Sequence, residues 1–303
     1  MNQPTPCHCC PRGCRRSGTQ GAFCHADAGM PEAAAVYAHT GEEPPLSGQR
    51  GISNIFFAHC NLQCCYCQNH EISGALVTPE RVTLRGVDAI VDATAESLKH
   101  TEQLVGLVSA THYADSIPAI VDGLHARGLY PTIVYNTGGY DTVDTLQRLA
   151  PYIDVYLPDF KYADPVLAQR YSHAADYPQR AGAALREMVN QKGTALPTDD
   201  NGLAFRGIIV RHLVLPGQSD NSIQCLQWIA DNISTNLHIS LMAQYFPPEG
   251  KKLPDELGRR LREEEYQRVV DAFYDLGFHR GWVQPLDAAD NYKPHFEHQT
   301  LFK

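Results

Sequence analysis

The stretch ISNIFFAHCNLQCCYCQN, Ile52 to Asn69, decides how this chain reads. Its first six residues are an apolar, β-rich run of the length of a buried strand. The cysteines that follow, Cys60, Cys64 and Cys67, stand in Cys-x3-Cys-x2-Cys spacing. Iron–sulfur clusters usually take four thiolates, so a compact set of three suggests a [4Fe–4S] cubane whose fourth iron stays open to a small chelating ligand. The alternatives are a zinc site, a closed structural cluster and free thiols. Zinc favours paired Cys-x2-Cys knuckles, and this loop offers one such pair plus Cys60. Cys65 reads as a packed small residue rather than a ligand.

Outward from that loop, apolar β-rich runs alternate with amphipathic segments, the pattern of βα units around a parallel sheet. Strands are expected near 51–58, 104–109, 130–136, 153–158, 207–214 and 238–242, with a seventh around 281–284. Helices are expected near 84–99, 115–127, 141–149, 178–192, 220–232 and 260–276. About six units suit an α/β fold of the partial (β/α)6 barrel type better than an eightfold one. Residues 1–50, rich in Cys, Pro, Gly and charge, read as a small metal-pinned appendage with one short helix over Pro31 to His39. The barrel is assigned to 51–285, and the tail 286–303, with its DAADNYKPHFEH segment, is placed to cover the open side or simply to pack.

Composition narrows the function classes. A chain of 303 residues can bury a sizeable core. Its net charge of −9 argues against a nucleic-acid partner held by a basic face; the largest basic cluster, Arg259, Arg260 and Arg262, runs directly into Glu263, Glu264 and Glu265. No run of about 18 apolar residues suggests a membrane span, and MNQPTPCHCC lacks the apolar centre of a signal peptide. A cytoplasmic location is expected. Nine of the ten cysteines fall between Cys7 and Cys67, a clustering typical of metal ligation in a reducing compartment.

In parallel α/β barrels the chemistry sits where strands end. Those ends read SATHYAD (109–115), YNTGGYD (135–141), YLPDFKY (156–162), RHLVLPG (211–217) and LMAQYFP (241–247). Gly138 and Gly139 permit backbone geometry barred to other residues, and Asn136 and Thr137 offer side-chain hydrogen bonds. Asp159 and Lys161, two apart on a strand end, point the same way, to pair with each other or with the two charges of a zwitterion. Arg211 could meet a carboxylate.

The cysteine loop, with Tyr66 before its last cysteine, resembles that of the radical S-adenosylmethionine (SAM) superfamily. There this spacing holds a [4Fe–4S] cluster, and SAM chelates the open iron. The order NTGG, DFK and V-L-P-G is further similar to glycyl-radical-enzyme activases such as pyruvate formate-lyase activating enzyme. With the N-terminal C-x2-C-P-R-x-C element, THY and LMAQYFP, the chain resembles the PflX-type branch. This resemblance implies reductive cleavage of SAM to a 5′-deoxyadenosyl radical for hydrogen abstraction, an oxygen-sensitive protein, and an electron donor such as flavodoxin or ferredoxin. It also implies a SAM shell drawn from Thr111, His112, Asn136, Thr137, Gly138, Asp159, Lys161 and Arg211. Where activases carry Gly-Gly-Glu to hold the SAM ammonium, this chain has Ser109, Ala110, Thr111 and His112, and Asn136 replaces an aspartate. The substrate is then a glycine of a partner protein, a small metabolite or a peptide. A non-catalytic iron–sulfur or zinc scaffold is the alternative from another class.

Upstream, Cys7, Cys10, Cys14 and Cys24, with Cys9 as a fifth thiol, have the ligand number of a closed site, either structural zinc or a second cluster. Metal binding would stabilise a segment with so few apolar residues. His212, His238, His279, His295 and His298 have no metal spacing.

Overall fold

A computed structural model of the chain describes residues 5–16, 22–27, 29–74 and 77–290. In chain order the strands are β1 (Thr5–Pro6), β2 (Arg15–Arg16), β3 (Glu32–His39), β4 (Ile52–Phe57), β5 (Leu84–Arg85) and β6 (Leu104–Val108), then β7 (Thr132–Thr137), β8 (Val155–Pro158), β9 (Gly207–Leu213), β10 (His238–Met242) and β11 (Gly281–Val283). The helices are α1 (Pro44–Ser47), α2 (His70–Ser73), α3 (Val87–Ser97), α4 (Ile117–His125), α5 (Val143–Leu149), α6 (Pro165–Ser172), α7 (Tyr177–Lys192), α8 (Ser219–Asn232) and α9 (Glu263–Asp275). Local chemistry sets several helix ends. Pro118, Pro165 and Pro178 occupy first turns, where a missing N–H costs nothing. The Thr142 hydroxyl caps α5 by accepting from the Thr145 N–H at 3.1 Å.

Nine strands form one sheet in the order β11-β10-β9-β8-β7-β6-β4-β3-β5. From β4 to β11 all neighbours are parallel. Each of these strands lies beside its predecessor, so right-handed crossovers carry the intervening helices to one face. The cores agree. Ile55, Leu107, Ile133 and Val210 pack with Ile90, Ile120, Leu185 and Leu226 of the helices. On the opposite face Ile52, Leu104, Val134, Leu157 and Ile209 form a separate apolar cluster. Higher on that second face stand the polar side chains Asn54, Asn136, Arg211 and Ser240. One cavity touches both Phe56 of β4 and Trp282 of β11, so the sheet curves around it.

The mixed α/β fold with a parallel sheet is present, and all seven strands lie within two residues of their expected bounds. Among the described residues β11 and β5 are the edges of the sheet, and no pairing joins them. Residues 31–39 correct the sequence reading outright. The expected helix is strand β3, antiparallel to β4 along Ala33↔Phe57 to His39↔Ile52. Glu and Ala favour a helix by only tenths of a kcal/mol per residue. Leaving the buried edge of β4 unpaired costs more than that per group. The segment set apart by composition thus contributes a strand to the main sheet. Helix α6 was absent from the expected set, and residues 291–303, including His295, His298 and most of the tail, lie outside the described residues.

Candidate active site

β4 is buried at every position and delivers the chain into the cysteine loop at its C-terminal end. Two non-glycine residues there, His59 (φ 71°) and Gln63 (φ 51°), adopt left-handed backbone. Such strain persists only where the surroundings over-determine it. Asn61 Nδ2 donates to the Tyr140 carbonyl at 2.8 Å, Gln63 Nε2 to the Phe23 carbonyl at 2.7 Å, and His59 Nε2 meets Glu32 Oε2 at 3.3 Å.

The three cysteines come together electrostatically, and each sulfur accepts a hydrogen bond. The Leu62 N–H lies 3.4 Å from Cys60 Sγ, Ser172 Oγ 2.9 Å from Cys64 Sγ, and Ser73 Oγ 3.2 Å from Cys67 Sγ. The Ser172 hydroxyl continues to Tyr162 Oη at 2.7 Å, and that phenol donates to Tyr66 Oη at 2.7 Å. Burial, reinforced by the neighbouring thiols, raises the Cys60 thiol and pushes Cys67 up to about 12. Lys161 faces the same thiols. Burial disfavours its ammonium, yet Asp159, Cys64 and Cys67 outweigh burial and hold its pKa above the ordinary lysine value.

The expected strand-end residues fall into three groups. Gly138, Asp159 and Lys161 border the cysteine loop: Lys161 Nζ donates to Asp159 Oδ2 at 2.5 Å, and a Cβ on Gly138 would stand 2.8 Å from Leu62 Cδ1. A Cβ on Gly139 (φ +79°) would strike the Asp159 carbonyl at 2.2 Å, so only glycine lets these two strand ends approach. Thr111 and Thr137 point instead into a buried hub. The Asp141 carboxylate accepts from Thr111 at 2.8 Å, Tyr135 at 2.8 Å and Thr137 at 2.6 Å. His112 is 2 % exposed and anchors β4 through Nε2 to the Ala58 carbonyl at 2.8 Å.

Asn136 and Arg211 line the cavity, whose volume is about 320 Å³ and whose rim includes Gln68 and Asn69, next to Cys67. Arg211 is already engaged. Its Nε donates to Glu43 Oε1 at 2.8 Å, and its Nη2 to Glu43 Oε2 at 2.6 Å and to Glu42. Sequence reasoning missed both glutamates and Asp141. Glu42 and Glu43 lie in a proline-flanked turn with no motif, and Asp141 ends the NTGGYD segment whose glycines drew attention first.

The N-terminal thiols gather against the same loop. Cys9 donates to Asp115 Oδ2 at 3.4 Å, and the interaction with Cys7, then burial, raises its thiol. Burial, with the nearby Cys7 and Cys24, pushes Cys10 up to about 12; Cys14 Sγ accepts the Phe23 N–H at 3.4 Å. Arg12 staples this arm down: it donates to the Asn61 and Ser172 carbonyls at 3.0 Å each and to that of His173, under the Phe23 ring at 3.8 Å. Among the described residues no three His, Cys, Asp or Glu side chains converge on one metal-ion position. No helix among them is long and apolar enough to cross a membrane.

No known family profile matches the chain. An uncharacterised protein of Methanocaldococcus jannaschii is 27% identical over 273 residues, 88% of this chain and 73% of its own length. Among solved structures, SuiB of Streptococcus suis superposes with a TM-score of 0.49 at 12% identity, over 77% of this chain and 49% of its own. Methylornithine synthase (PylB) gives a TM-score of 0.44 at 17% identity, over 71% and 59%. The chain thus spans about half the length of the first of these structures and under two thirds of the second.

Proposed function

We propose that this chain is a radical SAM enzyme with a [4Fe–4S] cluster on Cys60, Cys64 and Cys67. The observation that carries the reading is the loop itself: three thiols at the C-terminal end of the first parallel strand, each with a hydrogen-bond donor at its sulfur. The donor set fits the group. A cubane takes one thiolate per iron, so the sulfurs need to share a neighbourhood rather than a common point. Ligation needs thiolates; the cation's charge reverses the upward push on Cys60 and Cys67, and Lys161 favours the same form. Bound there, such a cluster would supply the electron for splitting SAM into methionine and a 5′-deoxyadenosyl radical.

The chain's own residues do the positioning. Gly138 and Gly139 let the NTGG turn close against Leu62 and the Asp159 carbonyl, which sets Asp159 and Lys161 beside the cysteine loop as the charged pair that a zwitterion can divide. The Asp141 hub fixes Thr111 and Thr137 beneath them. Asn136 and the cavity beside Cys67 give the abstracted hydrogen a location next to the loop. An activase role, with a partner's glycine inserted from the open side and flavodoxin or ferredoxin as donor, is one extension of this reading. The small cavity favours the other, a metabolite or a side chain of a peptide. The arm thiols Cys7, Cys10, Cys14 and Cys24 are assigned a second metal, zinc or iron–sulfur.

Iron and acid-labile sulfide per chain, measured after anaerobic reconstitution, test the assignment. The quadruple serine variant of Cys7, Cys10, Cys14 and Cys24 retains a SAM-cleaving cluster, and loss of zinc alone in that variant makes the arm site structural. Cleavage that survives Cys64→Ala refutes the assignment of the loop.

A further inference from the structure

We propose that the cavity floor recognises its substrate through a protonated amine, held between the Glu42 and Glu43 carboxylates and the Ser240 hydroxyl. The inference rests on the enzymatic reading only for what is done to the amine; the binding follows from the cavity itself.

The charges do not balance. Of the cavity's lining residues only His39, Glu42, Glu43 and Arg211 titrate near or carry charge. Arg211 divides its guanidinium between both carboxylates, leaving one negative charge in excess. Burial disfavours charge on His39 and lowers its pKa, so it does not supply the missing cation at neutral pH. Burial also opposes ionisation of Glu42, but the Arg211 guanidinium, with the Asn54 amide, overcomes it and holds that carboxyl below the usual carboxylate range. The two glutamate side chains are only 7% and 5% exposed. An uncompensated buried charge is costly, and a bound cation relieves that cost.

Ser240 is the independent observation. It pairs in register with Arg211, is 2% exposed and lines the cavity, and among the described residues its hydroxyl has no protein partner. An alkylammonium has three N–H donors and no acceptor, and Glu42, Glu43 and Ser240 offer three acceptors. The walls suit the rest of such a molecule: Phe56, Val108, Met242 and Trp282 are apolar, and an indole face attracts cations. The site is also built. Asn54 Nδ2 fixes Glu42 Oε1 at 2.7 Å, and it has room because a Cβ on Gly106 would stand 1.9 Å from Asn54 Oδ1. A volume of about 320 Å³ admits a small free amine or one lysine side chain.

Titration calorimetry on the full chain with n-butylammonium, n-butanol and butyrate tests this. The expected order is butylammonium strongest and butyrate weakest. Glu42→Gln and Glu43→Gln should each weaken butylammonium about tenfold or more while leaving butanol unchanged. Ser240→Ala breaks no protein hydrogen bond and should weaken it several-fold; it carries the test if a glutamate variant fails to fold. Nα-acetyl-lysine methylamide, compared with butylammonium, assigns the amine to a peptide if it binds tighter and to a metabolite if it binds weaker. The proposal is overturned if butyrate binds best, if Ser240→Ala and the glutamine variants bind as wild type does, or if SAM displaces butylammonium. Amine binding without any SAM cleavage would sink the enzymatic reading and leave this one standing.

Discussion

Asp141 shows how far the site depends on a group that no ligand needs to touch. It is 1% exposed and its carboxylate accepts three hydroxyls from three separate positions. Asp141→Ala removes the acceptor that all three hydroxyls share, leaving them only the weaker bonds among themselves, and a loss of about 2–3 kcal/mol is expected in denaturant unfolding. His212, on the other side of β9 from Arg211, gives a pH signature. Burial lowers its pKa from 6.5 to about 4, although the Phe160 carbonyl, accepting from Nδ1 at 2.6 Å, pulls the other way. The unfolded chain therefore binds a proton that the native one refuses. Stability from this residue is complete above pH 6.5 and falls as pH drops toward 4, by about 3 kcal/mol at most. In His212→Asn, which keeps a donor for Phe160, melting temperature should depend less steeply on pH across that window.

At the scale of elements, the contact between α7 and α8 depends on Gly182. A Cβ there would stand 2.6 Å from Trp228 Cζ2, and that indole is already stacked on Phe160 at 5.0 Å. Alanine gains up to about 1 kcal/mol in helix propensity but overpacks at a cost of about 1–3 kcal/mol. Gly182→Ala is thus expected to lower thermal stability, and an unchanged or raised melting temperature would contradict the packing described. The strands were legible because their apolar runs are continuous, as buried parallel strands require. The cysteine loop stood out because its Cys-x3-Cys-x2-Cys spacing is local. β3 was not: its EAAAVYAH sequence carries helical propensity, and only the distant partner β4 makes it a strand. Glu42 and Glu43 were hidden for the same reason, since their partner Arg211 lies about 170 residues away. Asp159 and Lys161, two residues apart, could be paired by eye.

For the whole molecule, α3, α4, α7 and α8 pack on one sheet face, and the opposite face, where Leu46 of α1 joins the apolar cluster, holds the cavity beside the cysteine loop. The N-terminal arm then ties onto the loop through Arg12. Arg12→Ala should free the arm, seen as faster amide exchange over residues 5–16 with little change in β6 to β9. Equal protection in both proteins would show that the arm is held otherwise. The central claim is SAM cleavage at Cys60, Cys64 and Cys67, and the most direct measurement is 5′-deoxyadenosine released by the anaerobically reconstituted, chemically reduced protein. The account predicts release by wild type and none by Cys64→Ala. No release from cluster-loaded wild type, or equal release from both, would contradict it.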